Sequence, residues 1–319
     1  MSGSHGVLTE TRRGPWQWAR LAGGALLLAV VVLQVGAEPF LDGVRQVNVS
    51  TLTAAICITA VTTSVSAWRW QLIARGLGLR IPLGSAVASY YRSQLLNSTL
   101  PGGVLGDVHR GVRHGAEADD ISRGLRSVVL DRAAGQVVQV GVATVTLLAL
   151  ASSMRAPVAL ILGVTFAVAA ALALAVLAVS RRGLSRSARV ARTVRRDVRA
   201  ALASTRAGSM ILLASTCVVA GHLGIFLIAA AATADGAPVS ISALLPPAML
   251  VLLSMTVPVT IGGWGPREGA AAWAFAAAGL GADRGVQTAT LYGVLSLVAV
   301  LPGAIVLVMS RRPRFADQS

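Results

Sequence analysis

Apolar runs long enough to cross a bilayer recur along the chain, and charged residues collect between them. A membrane-spanning helix needs about 20 predominantly apolar residues. The runs predict about six full spans, at 21–37, 47–67, 133–151, 157–180, 209–232 and 288–309. The pattern therefore predicts an all-α polytopic membrane protein and excludes a soluble domain.

Two further apolar stretches are interrupted by proline and paired glycines: Asn97–Arg110 and Val257–Glu268. Proline removes a backbone donor and glycine weakens a helix, so regular helix should stop in both. Exposed backbone at membrane depth is tolerated only where protein or a water-filled cavity covers it. We therefore expect two broken or re-entrant helical elements, and we expect function to lie there.

The distribution of charge predicts the orientation. The formal net charge is +15, and the sequence contains arginine but no lysine. Arginine-rich segments before the first span, at 69–80, at 181–206 and after the last span belong in the cytoplasm. Residues 1–20 and 311–319 are therefore predicted to be cytoplasmic tails of a single transmembrane domain, 21–310.

Residues 181–206 contain nine arginines and one aspartate, with an aliphatic residue at every fourth position from Val190 to Leu202. This pattern is typical of a basic amphipathic helix on the anionic cytoplasmic leaflet. A pI near 11.7 also suits nucleic-acid binding. Because the arginines flank apolar spans, lipid contact is the better interpretation, and no nucleic-acid partner is expected.

Counting crossings from these cytoplasmic segments leaves both broken elements with no net crossing. The halves 21–151 and 157–309 then have the same order of elements: two spans, a broken element and a third span. The two halves begin on opposite sides of the membrane. This order is typical of an inverted repeat, in which interrupted segments at matching positions mark a transport site. A possible inverted repeat is predicted.

Ionisable residues beside the breaks are the candidate functional groups. Asp107 neighbours Arg110, and Arg267 neighbours Glu268. Such residues at membrane depth face a cavity or a partner. Either the pairs only fix the broken helices, or the arginines hold a lipid phosphate, whose oxygens match the guanidinium fork. In the second case the acids orient the arginines or exchange protons. Trp264 is either an interface anchor or a cavity wall.

Other polar residues near the breaks were assigned to the membrane surface or to packing. Trp68-Arg69-Trp70 is typical of an interface anchor, and 116–132 of an interfacial amphipathic helix. Asp131 and Arg132 are expected to form an interfacial ion pair or to line a headgroup entrance. Paired glycines either donate exposed amides or permit close packing. The candidate substrate-binding residues are Asn97, Pro101, Gly102, Gly103, Gly106, Asp107, Arg110, Asp131, Arg132, Pro258, Gly262, Gly263, Trp264, Gly265, Arg267 and Glu268.

Three blocks of sequence resemble a known family. They are Asn97…Leu100-Pro-Gly-Gly…Gly106-Asp107…Arg110, Val128-Val-Leu-Asp-Arg132, and Pro258…Ile261-Gly-Gly-Trp-Gly-Pro-Arg-Glu-Gly269. They are similar to motifs of the lysylphosphatidylglycerol synthetase transmembrane-region family, also described as flippase-like membrane proteins. The resemblance runs from the first span to the last, and the third block is the more specific. It implies a membrane region that moves a modified lipid between leaflets; the soluble domain that attaches the amino acid has no counterpart in this sequence, so aminoacylation is not expected.

The predicted function is binding or flipping of a phosphate-bearing lipid across the bacterial cytoplasmic membrane. The lipid is an anionic phospholipid or a polyprenyl-phosphate-linked molecule. No catalytic residue, metal or cofactor is expected: His109 has no second His or Cys at ligand spacing, and no nucleotide-binding fingerprint occurs. One alternative is a membrane glycosyl- or lipid-transferase with Glu38 and Asp42 as its acids. Another is a non-transporting accessory subunit of a lipid-modifying enzyme, which would then be its partner.

Overall fold

The computed structural model describes residues 29, 32–33, 36–100, 103–150, 193, 196–201, 204–234, 239–256 and 262–309. This part of the chain is helical and contains no β-strand, which confirms the all-α prediction. Its helices are α1 Glu38–Arg45, α2 Val49–Gly76, α3 Leu83–Thr99, α4 Leu105–Ala116, α5 Ile121–Leu150, α6 Thr205–Ala232, α7 Ile241–Ser254, α8 Pro266–Ala277, α9 Ala282–Ala299 and α10 Pro302–Met309.

Four helical stretches in the described residues are long and apolar enough to cross a bilayer. They are α2, α5, α6 and Ala282–Met309, in which α10 continues α9 after Pro302. They correspond to four of the six predicted spans. The predicted spans 21–37 and 157–180 lie mostly or wholly outside the described residues, so the total of six stays a prediction.

The buried face of α2 is polar and its exposed face is apolar. Thr59, Thr63 and Ser66 are buried, whereas Ile56 is 41% and Val61 56% exposed. In water this distribution would be reversed, but in a bilayer the apolar face contacts lipid at no cost. The polar residues of α2 therefore point into the helix bundle, toward the interior where α3, α6 and α9 contact this helix.

Helix is interrupted at both predicted places. The helices α3, α4, α7 and α8 have 17, 12, 14 and 12 residues. At 1.5 Å per residue they are about 18–26 Å long, shorter than the roughly 30 Å of hydrocarbon that a span must cross. Helices α3 and α4 form an antiparallel hairpin, because Ser89 bonds to His114 and Ser93 to Asp107.

The described parts of the two halves follow the same order. A long helix, a short helix, a break, another short helix and a second long helix occur in α2–α5 and again in α6–α10. Helix α2 packs against α6, and α9 packs against both. The order agrees with a repeat; its inverted symmetry stays a prediction.

One of the two predicted surface helices is placed differently, and the other is described only in part. Residues 121–132 do not form a separate interfacial helix, because they are the first turns of the continuous helix α5. Within 181–206, the described residues 196–201 are helical and dock onto the bundle. There Asp197 is 5% exposed and accepts a hydrogen bond from Arg126 Nε at 2.6 Å. One face of this segment therefore contacts protein; its contact with the leaflet stays a prediction.

Candidate functional site

The two breaks meet at one cavity of about 620 Å³. A Cβ added to Gly262 in the second break would lie 2.9 Å from the carbonyl oxygen of Ser98 in the first, so the two segments are in contact. Ser98 and Gly262, 164 positions apart in sequence, thus belong to a single wall. The predicted site residues that line this cavity are Asn97, Gly103, Asp107, Arg132, Gly262, Gly263, Trp264 and Arg267.

The glycines of the breaks are required by backbone geometry. Gly103 has a φ of +60°, and Gly262, Gly263 and Gly265 have φ values of +58°, +82° and +94°. These values lie in the left-handed region, which glycine adopts far more readily than other residues. Gly106 is needed for another reason: a Cβ there would overlap the backbone of Ser93 on α3.

Two of the backbone amides at the breaks already have partners. The Gly106 N–H donates to Asn97 Oδ1 at 2.8 Å, and the Gly265 N–H donates to Glu268 Oε2 at 2.7 Å. The Glu268 bond caps the start of α8, and the Asn97 bond ties the first turn of α4 to the end of α3. These amides therefore hold the breaks in shape and are not free donors for a ligand.

Asp107 is the centre of the first break. Its carboxylate accepts hydrogen bonds from Ser93 Oγ at 2.9 Å and from Asn97 Nδ2 at 2.9 Å. It also accepts from Arg110 Nη2 at 3.0 Å and from Arg132 Nε at 2.7 Å. Two arginines and two neutral donors thus satisfy one carboxylate that is 6% exposed.

Asp131 is the centre of a second, deeper cluster. Its carboxylate accepts from Arg69 Nε at 2.9 Å, from Arg110 Nη2 at 3.3 Å and from the Tyr90 hydroxyl. Asp131 is fully buried. The predicted interfacial pair between Asp131 and Arg132 is therefore wrong: Asp131 is buried in the bundle and bonds to Arg69 and Arg110, whereas the more exposed Arg132 bonds to Asp107.

The interface anchor predicted at Trp68-Arg69-Trp70 is also wrong for its last two residues. Arg69 is 6% exposed and Trp70 is fully buried. Arg69 bonds to Asp131 and, through Nη1, to Ser215 Oγ at 3.0 Å on α6. Trp70 donates from its indole nitrogen to Ser127 Oγ at 3.0 Å.

Arg110 lies behind the cavity wall. It is fully buried, and its guanidinium lies 4.4 Å from the Trp70 ring centroid and 4.0 Å from that of Tyr90. It bridges the carboxylates of Asp107 and Asp131. Because it is enclosed by these groups, Arg110 positions the two acids in this structure and does not reach the cavity.

In the second break, the two neighbouring charged residues form an ion pair with each other. Arg267 Nε donates to Glu268 Oε1 at 2.9 Å, and its guanidinium lies 4.3 Å from the centroid of the Trp264 ring. Trp264 is thus a cavity wall that stacks against Arg267. Gly293 on α9 makes room for this arrangement, because a Cβ there would overlap the guanidinium.

A second cavity of about 260 Å³ adjoins the first and shares Gln94, Arg132, Gln136, His222 and Tyr292 with it, among other residues. It extends to Arg69 and Ser215. Apart from Arg132, these residues belong to no proline–glycine break, so the interrupted-helix pattern does not predict them. A detectable signal existed: Thr59, Thr63, Ser66 and Arg69 recur every three or four positions along an apolar helix.

The remaining predicted residues fall into two groups. Gly106, Arg110, Asp131, Gly265 and Glu268 lie behind the cavity wall, where they hold the residues that line it. Pro101, Gly102 and Pro258 lie outside the described residues. Within the part of the chain that the structure describes, no cluster of three His, Cys, Asp or Glu residues could hold a metal ion.

The four apolar helices long enough to cross a bilayer, with buried charged residues between them, define a polytopic helical membrane protein. The family whose model is described as the lysylphosphatidylglycerol synthase TM region matches residues 17–303, and the chain belongs to this family. This match confirms the resemblance carried by the two broken segments. A search of curated proteins finds no match to the chain.

Proposed function

We propose that this chain binds the phosphate group of a membrane lipid in the cavity between its two breaks and moves that lipid between leaflets. The observation that carries the proposal is the arrival of Arg132 and Arg267, one from each half of the chain, at the same cavity. A guanidinium donates two parallel hydrogen bonds to phosphate oxygens. From the sequence, Arg110 was expected to hold the phosphate together with Arg267; in this proposal Arg132 holds it instead of Arg110.

Arg132 suits this role because it is the accessible end of a chain of alternating charges. The chain runs Arg132, Asp107, Arg110, Asp131, Arg69. Three arginines thus face two carboxylates, which leaves one positive charge. The Arg132 side chain is 48% exposed, whereas the other four side chains in this row of charges are at most 8% exposed. The excess charge is therefore available to a ligand at Arg132.

Arg267 supplies the opposite wall. Its charge is matched by Glu268, which is fully buried and also holds the Gly265 amide. The carboxylate and the Trp264 ring fix the guanidinium plane, so its orientation is set before a ligand arrives. A pre-organised arginine loses less freedom on binding than a mobile one.

The size and lining of the cavities favour a headgroup. A volume of about 620 Å³ falls within the roughly 300–1,000 Å³ of small-ligand sites. Polar residues extend the path into the second cavity, while the outer faces of α2 and α5 are apolar. In the proposed transport the headgroup passes between these cavities and the acyl chains stay in the bilayer. We place the protein in the bacterial cytoplasmic membrane with both termini in the cytoplasm.

Translocation of fluorescent phosphatidylglycerol by the purified full-length protein in vesicles tests this proposal. Arg132→Lys and Arg267→Lys should each slow translocation about tenfold or more at unchanged abundance, because an ammonium cannot replace the lost charged hydrogen bond. Arg45→Lys is the matched control, since Arg45 is exposed and pairs only with Asp42 on α1. Its translocation rate should equal that of the wild type.

A second comparison separates a phosphate site from a pair that only holds the fold. If Arg267→Gln lowers abundance, and Arg267→Gln/Glu268→Gln restores both abundance and translocation, the pair is structural and the proposal fails. Wild-type vesicles that translocate no faster than protein-free vesicles would favour an accessory subunit. Glu38 and Asp42, the acids of the transferase alternative, do not line either cavity.

A further inference from the structure

Arg92 on α3 is a buried cation without a described partner. It is 2% exposed, its Nη2 is fully buried without a hydrogen bond, and no ion pair or hydrogen bond joins it to another described residue. The buried residues Arg69, Arg110 and Arg267 each bond to a carboxylate. An uncompensated buried charge is strongly destabilising. Arg92 therefore lacks an anion that its location requires.

Arg92 faces away from the cavity. A helix turns roughly 100° per residue, and Arg92 is two positions from Tyr90 and from Gln94, which line the cavities. Its side chain thus leaves α3 on the opposite side. On α4, His109 is likewise two positions from the cavity-lining Asp107.

The register of the hairpin brings Arg92 level with His109. Ser93 contacts Asp107 at 2.9 Å and Ser89 contacts His114 at 2.9 Å, and Arg92 and His109 fall between these two contacts on antiparallel helices. Arg113 is one turn further along α4 from His109. These three residues, Arg92, His109 and Arg113, are named the back-face cluster.

The back-face cluster is short of negative charge. Arg113 repels Arg92 and Glu117 attracts it. Glu117, however, is 54% exposed and already pairs with Arg113 at 3.2 Å and with His114 at 2.8 Å. Desolvation, followed by repulsion from Arg92 and Arg113, lowers the pKa of His109 below its ordinary value. An added anion would offset the repulsion between Arg92 and Arg113, and it would accept a hydrogen bond from a neutral His109.

We propose that the back-face cluster binds the phosphate of a second membrane lipid, outside the cavity and independent of the proposed transport. Arginine is the side chain best suited to phosphate oxygens. Two apolar residues of α4 within one turn of His109 are exposed, with Leu105 at 41% and Val112 at 37%. They offer a surface for acyl chains, which favours a lipid over free phosphate.

Thermal unfolding of the full-length protein in nanodiscs tests the proposal. Phosphatidylglycerol mixed into phosphatidylcholine should raise the unfolding midpoint of the wild type by on the order of 5 °C, because a ligand that binds only the folded state stabilises it. Arg92→Met should show a smaller rise, because only the lipid bound in the cavity still stabilises the folded state, and native mass spectrometry should count one fewer retained phosphatidylglycerol. Arg80→Met is the matched control, because Arg80 is exposed on the neighbouring connection, and it should behave as the wild type.

Inorganic phosphate added to phosphatidylcholine nanodiscs separates the two sources of the anion. A rise with phosphatidylglycerol alone identifies a lipid site, and a rise with both identifies a phosphate site open to water. If Arg92→Met fails to fold, the exposed Arg113→Gln should show a reduced rise and weaker retention of the lipid. The proposal is overturned if both variants keep the wild-type rise and the wild-type lipid count.

Discussion

The two breaks hold their charged residues in different ways. In the first, Asp107 and Asp131 bond to side chains from α2, α3, α4 and α5, and the partners of Asp131 lie up to 62 residues away. In the second, Arg267 and Glu268 are adjacent, and the pair closes within the first turn of α8. The first break therefore joins helices together, whereas the second carries its own fixed arginine.

Because of this difference, we expect the two breaks to behave differently when the protein changes conformation. A network that joins four helices can change only if several packed elements move together. A local pair keeps its geometry while its helix moves as a rigid body. We therefore expect the first break to link ligand binding to rearrangement of the bundle and the second to present a constant phosphate contact.

The largest expected difference between the two breaks is their orientation: the α3–α4 hairpin should begin and end on the cytoplasmic side of the membrane, and the α7–α8 hairpin on the outer side. On a cysteine-free background, Asp283→Cys at the start of α9 should react with an impermeant thiol reagent added outside intact cells. Ala118→Cys between α4 and α5 should react only after permeabilisation. The reason is the arginine-rich character of the predicted cytoplasmic segments. Both Ala118 and Asp283 are exposed, so a cysteine at either position is accessible to the reagent. Labelling of both positions from the same side would remove the basis for an inverted repeat.

Removing one carboxylate charge from each break should produce the next largest contrast. Asp131→Asn leaves Arg69 and Arg110 short of negative charge in a buried site and should lower the free energy of unfolding by about 3–5 kcal/mol. Glu268→Gln removes the charge partner of one arginine, Arg267, which keeps its contact with Trp264, while the glutamine oxygen can still accept from the Gly265 N–H. It should lower the free energy of unfolding by about 1–3 kcal/mol. Denaturant unfolding in detergent measures both.

The control for this pair is Asp42→Asn. Asp42 forms an exposed ion pair with Arg45, and such pairs contribute about 0–1 kcal/mol. Equal losses from Asp131→Asn and Glu268→Gln would show that the network joining the helices is no more important to stability than the local pair.

Adding one methyl group to the first break tests how closely α3 and α4 pack there. Gly106→Ala would push α4 away from the Ser93 backbone and should lower the free energy of unfolding by about 1–3 kcal/mol. Gly141→Ala on α5 is the control, because a Cβ there meets nothing within 4 Å. It should be neutral or stabilising by about 0.5–1 kcal/mol, since alanine favours helix over glycine. A Gly106→Ala protein as stable as Gly141→Ala would show that the α3–α4 contact is loose.

The sequence by itself determined the features that depend on neighbouring residues. Apolar length predicted the four spans found in the described residues, because a bilayer demands about 20 apolar residues wherever a helix crosses. Proline and glycine predicted where helix stops. Those rules act within a few residues of the chain, and they also located the pair formed by Arg267 and Glu268.

Only the tertiary structure decided which charged residue faces the cavity. In the sequence Arg110 is three positions from Asp107 and Arg132 is 25 positions from it, so proximity along the chain favours Arg110 as the site residue. Packing of α4 against α3 and α5 encloses Arg110 between two carboxylates, while the continuation of α5 through 121–132 carries Arg132 to the cavity and Asp131 to Arg69. Burial and pairing of charge depend on residues brought together from distant helices, and the linear pattern of one chain does not contain those distances.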